Sequence, residues 1–179
     1  INILLQNRNI PIILGGGHET VYGHYLGVRS AVGSTSKIGI VNIDAHFDMR
    51  LDNQGASSGT MFYQILNEDR NANYIVIGIQ AFGNTKALFE RAQAFQVKYV
   101  LEEQLTEQPE EIWKQQIQDF IDKQDVVIVT LCMDVVNASA APGVSAPSVF
   151  GLSPQLVRKL LRYIMQFNKV ISFDICEVN

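Results

Sequence analysis

Asp44, His46 and Asp48 stand at alternate positions directly after the apolar run Ile38 to Ile43. In an extended segment alternate side chains project to the same side, so positions i, i+2 and i+4 offer two carboxylates and an imidazole in one direction. Such a comb suits a metal ion. Mixed carboxylate and imidazole donors accept Mn²⁺, Fe²⁺ or Zn²⁺, and a carboxylate-rich set favours Mn²⁺. With His18, Asp134 and Cys132 from elsewhere in the chain, the donors suffice for two ions sharing a carboxylate, an arrangement that holds a bridging water and acidifies it toward neutral pH.

Ordinary roles compete with this one. An aspartate after a strand is commonly a turn or cap residue, and a single histidine is more often a surface or core residue than a ligand. That would account for His18 or Asp134 alone. It does not account for Asp44-Ala45-His46-Phe47-Asp48, because three alternate polar groups after an apolar strand have no packing role there. Gly15-Gly16-Gly17 resembles a phosphate-cradling loop, but neither a Gly-Lys-Ser/Thr nor a Gly-x-Gly-x-x-Gly pattern follows. The glycines instead let the chain turn and bring His18 inward. Tyr22 stands where a His-Glu-x-x-His zinc motif needs its second histidine, so His24 reads as structural, on a helix face. Cys132 also fits an ordinary buried thiol.

The elements that must position these residues follow from hydrophobic periodicity. Apolar runs predict strands at Ile10 to Leu14, Ile38 to Ile43, Tyr74 to Ile79, Gln96 to Val100, Val126 to Leu131 and Val170 to Phe173. Amphipathic stretches between them predict helices at Val21 to Val32, Met61 to Asn67, Lys86 to Ala94, Pro109 to Lys123 and Pro154 to Asn168, the last with Ser153 as N-cap. Most of the strand runs are apolar on both faces. This rhythm predicts an α/β domain, a parallel sheet with helices on both sides. Two long connections, Asp44 to Gly59 and Cys132 to Leu152, each follow a buried strand, and in open α/β sheets ligands bind beyond the carboxyl ends of the strands. Gly15 to Glu19, Asp44 to Asp48, Cys132 to Asp134, Asp174 and Glu177 are therefore expected to converge on one edge of the sheet.

Composition excludes other classes. The 179 residues are 47% hydrophobic and 18% charged, the balance of a globular domain with a core rather than a disordered or fibrous chain. A net charge of -4 argues against a groove for nucleic acid or anionic lipid. The apolar runs fall far short of the ~20 residues of a membrane span, and two cysteines are too few to staple a domain of this size, so a reducing cytoplasm is expected. The chain opens at Ile1 and stops at Asn179 just after a strand-like run. A single domain over residues 1–179, as a fragment lacking terminal parts, is the expectation.

Gly15-Gly16-Gly17-His18-Glu19, Asp44-Ala45-His46-Phe47-Asp48, Met133-Asp134 followed by Ala141-Pro142-Gly143, and the closing Ser172-Phe173-Asp174-Ile175-Cys176-Glu177-Val178-Asn179 resemble the ureohydrolase family of arginases, agmatinases and formimidoylglutamases. The resemblance implies a three-layer α/β/α fold with a mainly parallel, arginase-like sheet, and a dinuclear Mn²⁺ centre whose bridging hydroxide attacks an amidine or guanidine carbon. Carried over, His18, Asp44 and Asp48 hold one ion, and Asp44, His46 and Asp134 the other. Asp48 also orients the nucleophilic water. Glu177 receives the cationic nitrogen of the substrate, an ion pair strengthened in a water-poor cleft. A symmetric homo-oligomer is also implied.

Three departures carry information. The family's usual Asp-x-Asp pair reads Cys132-Met133-Asp134, so a thiol replaces a carboxylate at a ligand position. The segment Ser57-Ser58-Gly59-Thr60-Met61-Phe62 lacks the histidine that arginases and agmatinases carry there. Gly17, Arg50 and the loop Ala141-Pro142-Gly143-Val144-Ser145-Ala146-Pro147 are together similar to the formimidoylglutamases of histidine degradation. Their substrate is dianionic, which makes Arg50 a candidate carboxylate clamp, with a solvated loop arginine as the alternative. An agmatinase, another guanidino-compound hydrolase and an inactive metal-binding relative are the competing expectations.

Overall fold

The computed structural model describes residues 1–53 and 55–178. Its strands are β1 (Ile12–Leu14), β2 (Ile38–Ile43), β3 (Ala72–Ile79), β4 (Lys98–Leu101), β5 (Val126–Cys132) and β6 (Val170–Cys176). They pair in parallel in the order β1-β6-β5-β2-β3-β4. The helices are α1 (Asn2–Gln6), α2 (Thr20–Val32), α3 (Met61–Glu68), α4 (Lys86–Ala94), α5 (Glu102–Glu107), α6 (Glu110–Ile121) and α7 (Pro154–Ile164).

Alternation along β2 explains the three layers. Ile38 and Ile40 pack with Val21, Tyr25 and Val28 of α2 and with Phe62 and Ile65 of α3, whereas Val41 and Ile43 pack with Trp113 and Ile117 of α6 and Leu160 and Ile164 of α7. Burying each such side chain is worth roughly 1.5–3 kcal/mol, which is why a strand apolar on both faces belongs inside the sheet. The helices contribute one face each. Val157, Leu160 and Ile164 of α7 are buried at helical spacing, and Ser153 caps the helix by accepting the Leu156 N–H at 3.2 Å, with Pro154 in the first turn.

Several elements differ from the sequence expectation. The short helices α1 and α5 were not expected, and α5 buries only Leu105, too little to leave a periodic pattern. Strand β4 begins at Lys98 because Gln96 adopts a left-handed φ of 57° in the turn after α4. Strand β6 runs on to Cys176, and α7 ends at Ile164, earlier than its amphipathic pattern. The edge strand β1 starts at Ile12 and is not buried on both faces, with Ile12 and Leu14 63% and 74% exposed. Among the described residues no helix is long and apolar enough to cross a membrane.

The strand order positions the chemistry. From β2 the chain moves outward to β3 and β4, then returns to place β5 on the other side of β2 and β6 beyond it. The adjacent pair β2 and β5 is therefore a switch point, where diverging connections open a crevice beyond the strand ends. Register levels the ends. Ile43 lies opposite Leu131, Cys132 opposite Cys176, and Leu14 opposite Ile175.

Candidate metal centre

Directly beyond Ile43, Asp44 continues the ladder by donating its N–H to the Ile77 carbonyl at 3.0 Å. The segment then bends at Ala45 and His46 instead of running extended, because Asp44 Oδ1 accepts the His46 N–H at 2.8 Å. Its alternation survives the bend. Ala45, Phe47 and Met49 are fully buried in the core, and Asp44, His46 and Asp48 are left to the polar side. Asp48 has a φ of 50°, a conformation that costs a non-glycine residue of order 1–3 kcal/mol and clusters at functional sites.

His18 arrives from the opposite side of the crevice. Gly16, at φ 84°, allows the turn after β1, and a Cβ there would meet Thr20 Oγ1 at 2.5 Å. The buried imidazole packs edge-on against Phe62 at a centroid distance of 5.3 Å. Its Nδ1 lies 3.1 Å from Asp44 Oδ2 and 2.9 Å from Asp48 Oδ2. His46 Nδ1 lies 3.1 Å from Asp134 Oδ2 and 3.6 Å from Asp44 Oδ1. Two overlapping donor groups result. His18, Asp44 and Cys132 offer ligand atoms all within 4.8 Å of one another, as do Asp44, His46 and Asp134, and Asp44 belongs to both.

Carboxylates and imidazoles shift one another's pKa values across this site. Hydrogen bonds to Asp134 and Asp44 lift the His46 pKa to about 11. Burial opposes a charge on His18, but its bonds to Asp44 and Asp48 outweigh that and hold its pKa well above the ordinary value. Burial likewise opposes ionisation of Asp44, and bonds from His18 and His46 hold its carboxyl far below the usual range. Burial and the Asp44 charge push Asp48 up to about 6. The Cys132 thiol is driven well up by burial, then by Asp44, Asp134 and Asp48. A divalent cation fits this donor set, since it would take the place of the imidazole protons and stabilise a Cys132 thiolate. Asp134 Oδ1 adds a specific sign. It is buried and has no hydrogen-bond partner among the described residues, a costly state that a cation relieves.

A cavity of about 320 Å³ opens beside these donors, lined by His46, Asp48, Cys132 and Asp134, and by Arg50, Asn84, Ser145 and Glu177. Glu177, at φ 62°, turns back over the site. Its Oε1 accepts the His18 N–H at 2.9 Å and its Oε2 accepts the Ser145 hydroxyl at 2.8 Å, which ties the Ala141 to Pro147 loop to the end of β6. Arg50 is exposed at the rim and makes no side-chain hydrogen bond or ion pair among the described residues. Its guanidinium lies against Gly59, leaving no room there for a Cβ.

All the expected site residues, His18, Asp44, His46, Asp48, Arg50, Cys132, Asp134 and Glu177, thus meet around one crevice. Asp174 and Glu19 do not join them at the cavity. Glu19 is exposed, and Asp174 is buried within β6, bonded to Thr130 and to His24. His24, expected to be structural on a helix face, is buried on α2 and bonded to Asp174 and Ser172. Sequence reasoning passed over Thr130 and Asn42, which contact His18 Nε2 at 3.0 Å and Asp44 Oδ2 at 3.1 Å. A signal was present. Each is the polar residue inside an apolar strand two positions before a site residue, Cys132 and Asp44, and so shares its face.

Comparison with known proteins gives a consistent result. The arginase family model matches residues 1–179. A formimidoylglutamase of Geobacillus sp. (strain WCH70) is 64% identical over 176 residues, covering 98% of this chain and 54% of its own. The crystal structure of formimidoylglutamase from Bacillus subtilis subsp. subtilis str. 168 superposes with a TM-score of 0.90 at 27% identity, over 99% of this chain and 56% of that one. Trypanosoma cruzi formiminoglutamase, solved with Mn²⁺, shares the fold with a TM-score of 0.87 at 21% identity, over 99% of this chain and 60% of its own. The chain spans about half the length of the curated relatives it matches.

Proposed function

The chain belongs to the arginase family, and on that premise we propose that the protein hydrolyses N-formimidoyl-L-glutamate to L-glutamate and formamide, using two Mn²⁺ ions. One observation carries the choice of substrate. The cavity places acidic Asp48 and Glu177 beside the donor groups and the cationic Arg50 at its rim, a polarity complementary to a substrate with a cationic amidine at one end and two carboxylates at the other. The names borne by relatives such as that at 64% identity support the same reading.

In this proposal His18, Asp44, Asp48 and Cys132 would hold one ion and Asp44, His46 and Asp134 the other. Bound there, the ions supply Lewis-acid activation of water. The remaining work falls to the side chains. Glu177 keeps lone pairs beyond those used by His18 N–H and Ser145, and with them it binds the amidinium N–H groups. Arg50 clamps a glutamate carboxylate and sets the depth at which the amidine carbon stops. Asp48 takes the proton released as water adds to that carbon. As the bond from carbon to the glutamate nitrogen breaks, Asp48 passes this proton to the departing amine, so that no separate histidine acid is needed. A cytoplasmic homo-oligomer completes the proposal, and both cysteines are buried free thiols, as a reducing compartment allows.

Formamide release from N-formimidoyl-L-glutamate by the full protein, with Mn²⁺ and after chelation, tests this beside agmatine and arginine. Mn²⁺-dependent release from the first substrate alone is expected. Turnover of agmatine or arginine instead would overturn the substrate and keep the family.

A further inference from the structure

Behind His18 a line of buried polar groups crosses three elements. His18 Nε2 is 3.0 Å from Thr130 Oγ1 in β5. Thr130 donates its hydroxyl hydrogen to Asp174 Oδ1 in β6 at 2.6 Å, and Asp174 Oδ2 lies 2.6 Å from His24 Nδ1 in α2. None of these four side chains is more than 1% exposed. A polar chain inside a sheet core is costly unless each donor meets an acceptor, and in this one the direction of every hydrogen is determined.

A carboxylate only accepts, so the single hydroxyl hydrogen of Thr130 is committed to Asp174. The Thr130 oxygen can then only accept from His18, which places a hydrogen on His18 Nε2. What remains is Nδ1, the nitrogen that faces Asp44 and Asp48 at 3.1 and 2.9 Å. Asp174 is itself held from two sides. The Cys176 thiol lies 3.2 Å from Oδ1, and His24 is fixed against Oδ2 by a second contact of 2.7 Å to Ser172 Oγ.

We propose that Asp174 is a positioning residue which, through Thr130 and with His24 locking its second oxygen, fixes His18 in the tautomer that presents Nδ1 to the Asp44, Asp48 and Cys132 cluster. The inference rests on His18 being a metal ligand. It gives a role to the buried Asp174–His24 pair, which the hydrolytic mechanism does not use. Groups of this kind orient a ligand ring and raise its basicity, and their loss typically weakens metal binding about 10–100-fold.

The test is calorimetric titration of Mn²⁺ into the full protein, wild type beside Thr130→Val, Thr130→Ser and Asp174→Asn. Wild type should take two equivalents. Thr130→Val and Asp174→Asn should weaken one of the two by about 10–100-fold, and Thr130→Ser, which keeps the hydroxyl, should restore it. Unchanged Mn²⁺ binding by Thr130→Val overturns the inference and leaves the metal reading standing. A wild-type protein that binds no Mn²⁺ overturns both. A second readout needs no variant: ¹⁵N-histidine spectra of the wild type loaded with diamagnetic Zn²⁺ should show the hydrogen of His18 on Nε2, and a hydrogen on Nδ1 would refute the relay.

Discussion

The two ends of the sheet handle charge in opposite ways. At the amino ends of the strands a cleft of about 830 Å³ is lined by Lys37, Asp69, Arg70, Lys98, Asp119 and Lys123 among others, and is larger than the cavity of about 320 Å³ at the carboxyl ends. Acidic and basic side chains alternate around it. Asp69 accepts from Tyr25 and pairs with Arg29 at 2.7 Å, and Asp125 accepts the Lys37 N–H. At the carboxyl ends, Asp44, Asp48 and Asp134 crowd together with no lysine or arginine partner among the described residues, and their ion-pair contacts are to His18 and His46 alone. Cavity size is therefore a poor guide to the candidate site. The informative feature is a cluster of buried carboxylates held only by imidazoles, a donor set that an incoming cation can take over.

The most severe way to break this contrast is to remove the shared carboxylate. Asp44→Ala should abolish binding of both Mn²⁺ equivalents and bring formamide release to background, whereas loss of a donor belonging to one group, as in Asp134→Ala, should spare one equivalent. Calorimetric stoichiometry separates the two. If Asp44→Ala still binds two ions, the overlapping groups do not act as one centre.

Next in size is the response to pH. His46 has a folded pKa of about 11, above its unfolded value near 6.5, so its contribution to stability is fully present below pH 6.5 and is lost as pH rises toward 11. His18 is shifted in the same direction. Mn²⁺ replaces those protons, so its affinity should rise with pH, and the gap in thermal midpoint between Mn²⁺-loaded and metal-free protein should widen from pH 6 to pH 9. A gap that narrows over this range would show that the imidazoles do not hold the site's charge balance.

Arg50 sharpens the comparison at the rim. Hydrogen bonds to charged groups are worth about 1.5–3 kcal/mol, so Arg50→Ala should raise KM for N-formimidoyl-L-glutamate roughly 10–150-fold while Mn²⁺ stoichiometry holds. An unchanged KM would return Arg50 to a solvated loop residue. The smallest effect belongs to the opposite end of the sheet. Asp69→Asn removes the partner of a partly exposed arginine and should cost ~1 kcal/mol in denaturant unfolding with no change in turnover.

Much of this organisation was legible in the residues. The doubly apolar runs Ile38 to Ile43 and Val126 to Leu131 could only be buried strands, and polar groups at their carboxyl ends had to face the crevice. The motifs from Gly15 to Glu19 and from Asp44 to Asp48 carried the family resemblance. Helix α5 was not legible, because one buried leucine sets no period, and neither was the exposure of β1, because an apolar run does not say whether a strand lies at an edge. Asp174 misled for a related reason. Its place near the end of β6 suited the cavity, and only the packing of α2 against β6 gave it His24 as a partner instead.

The sequence by itself determined which groups could bind a cation and which strand ends carry them, since both follow from residue type and local periodicity. The resemblance already implied a shared Asp44; tertiary structure alone decided that Cys132 lies with His18 and Asp44 and that Thr130 meets a histidine ring 112 residues away. Those outcomes depend on strand order and register, which bring β1, β2, β5 and β6 to one level. No local pattern encodes that alignment, because it results from burying both faces of the sheet at once.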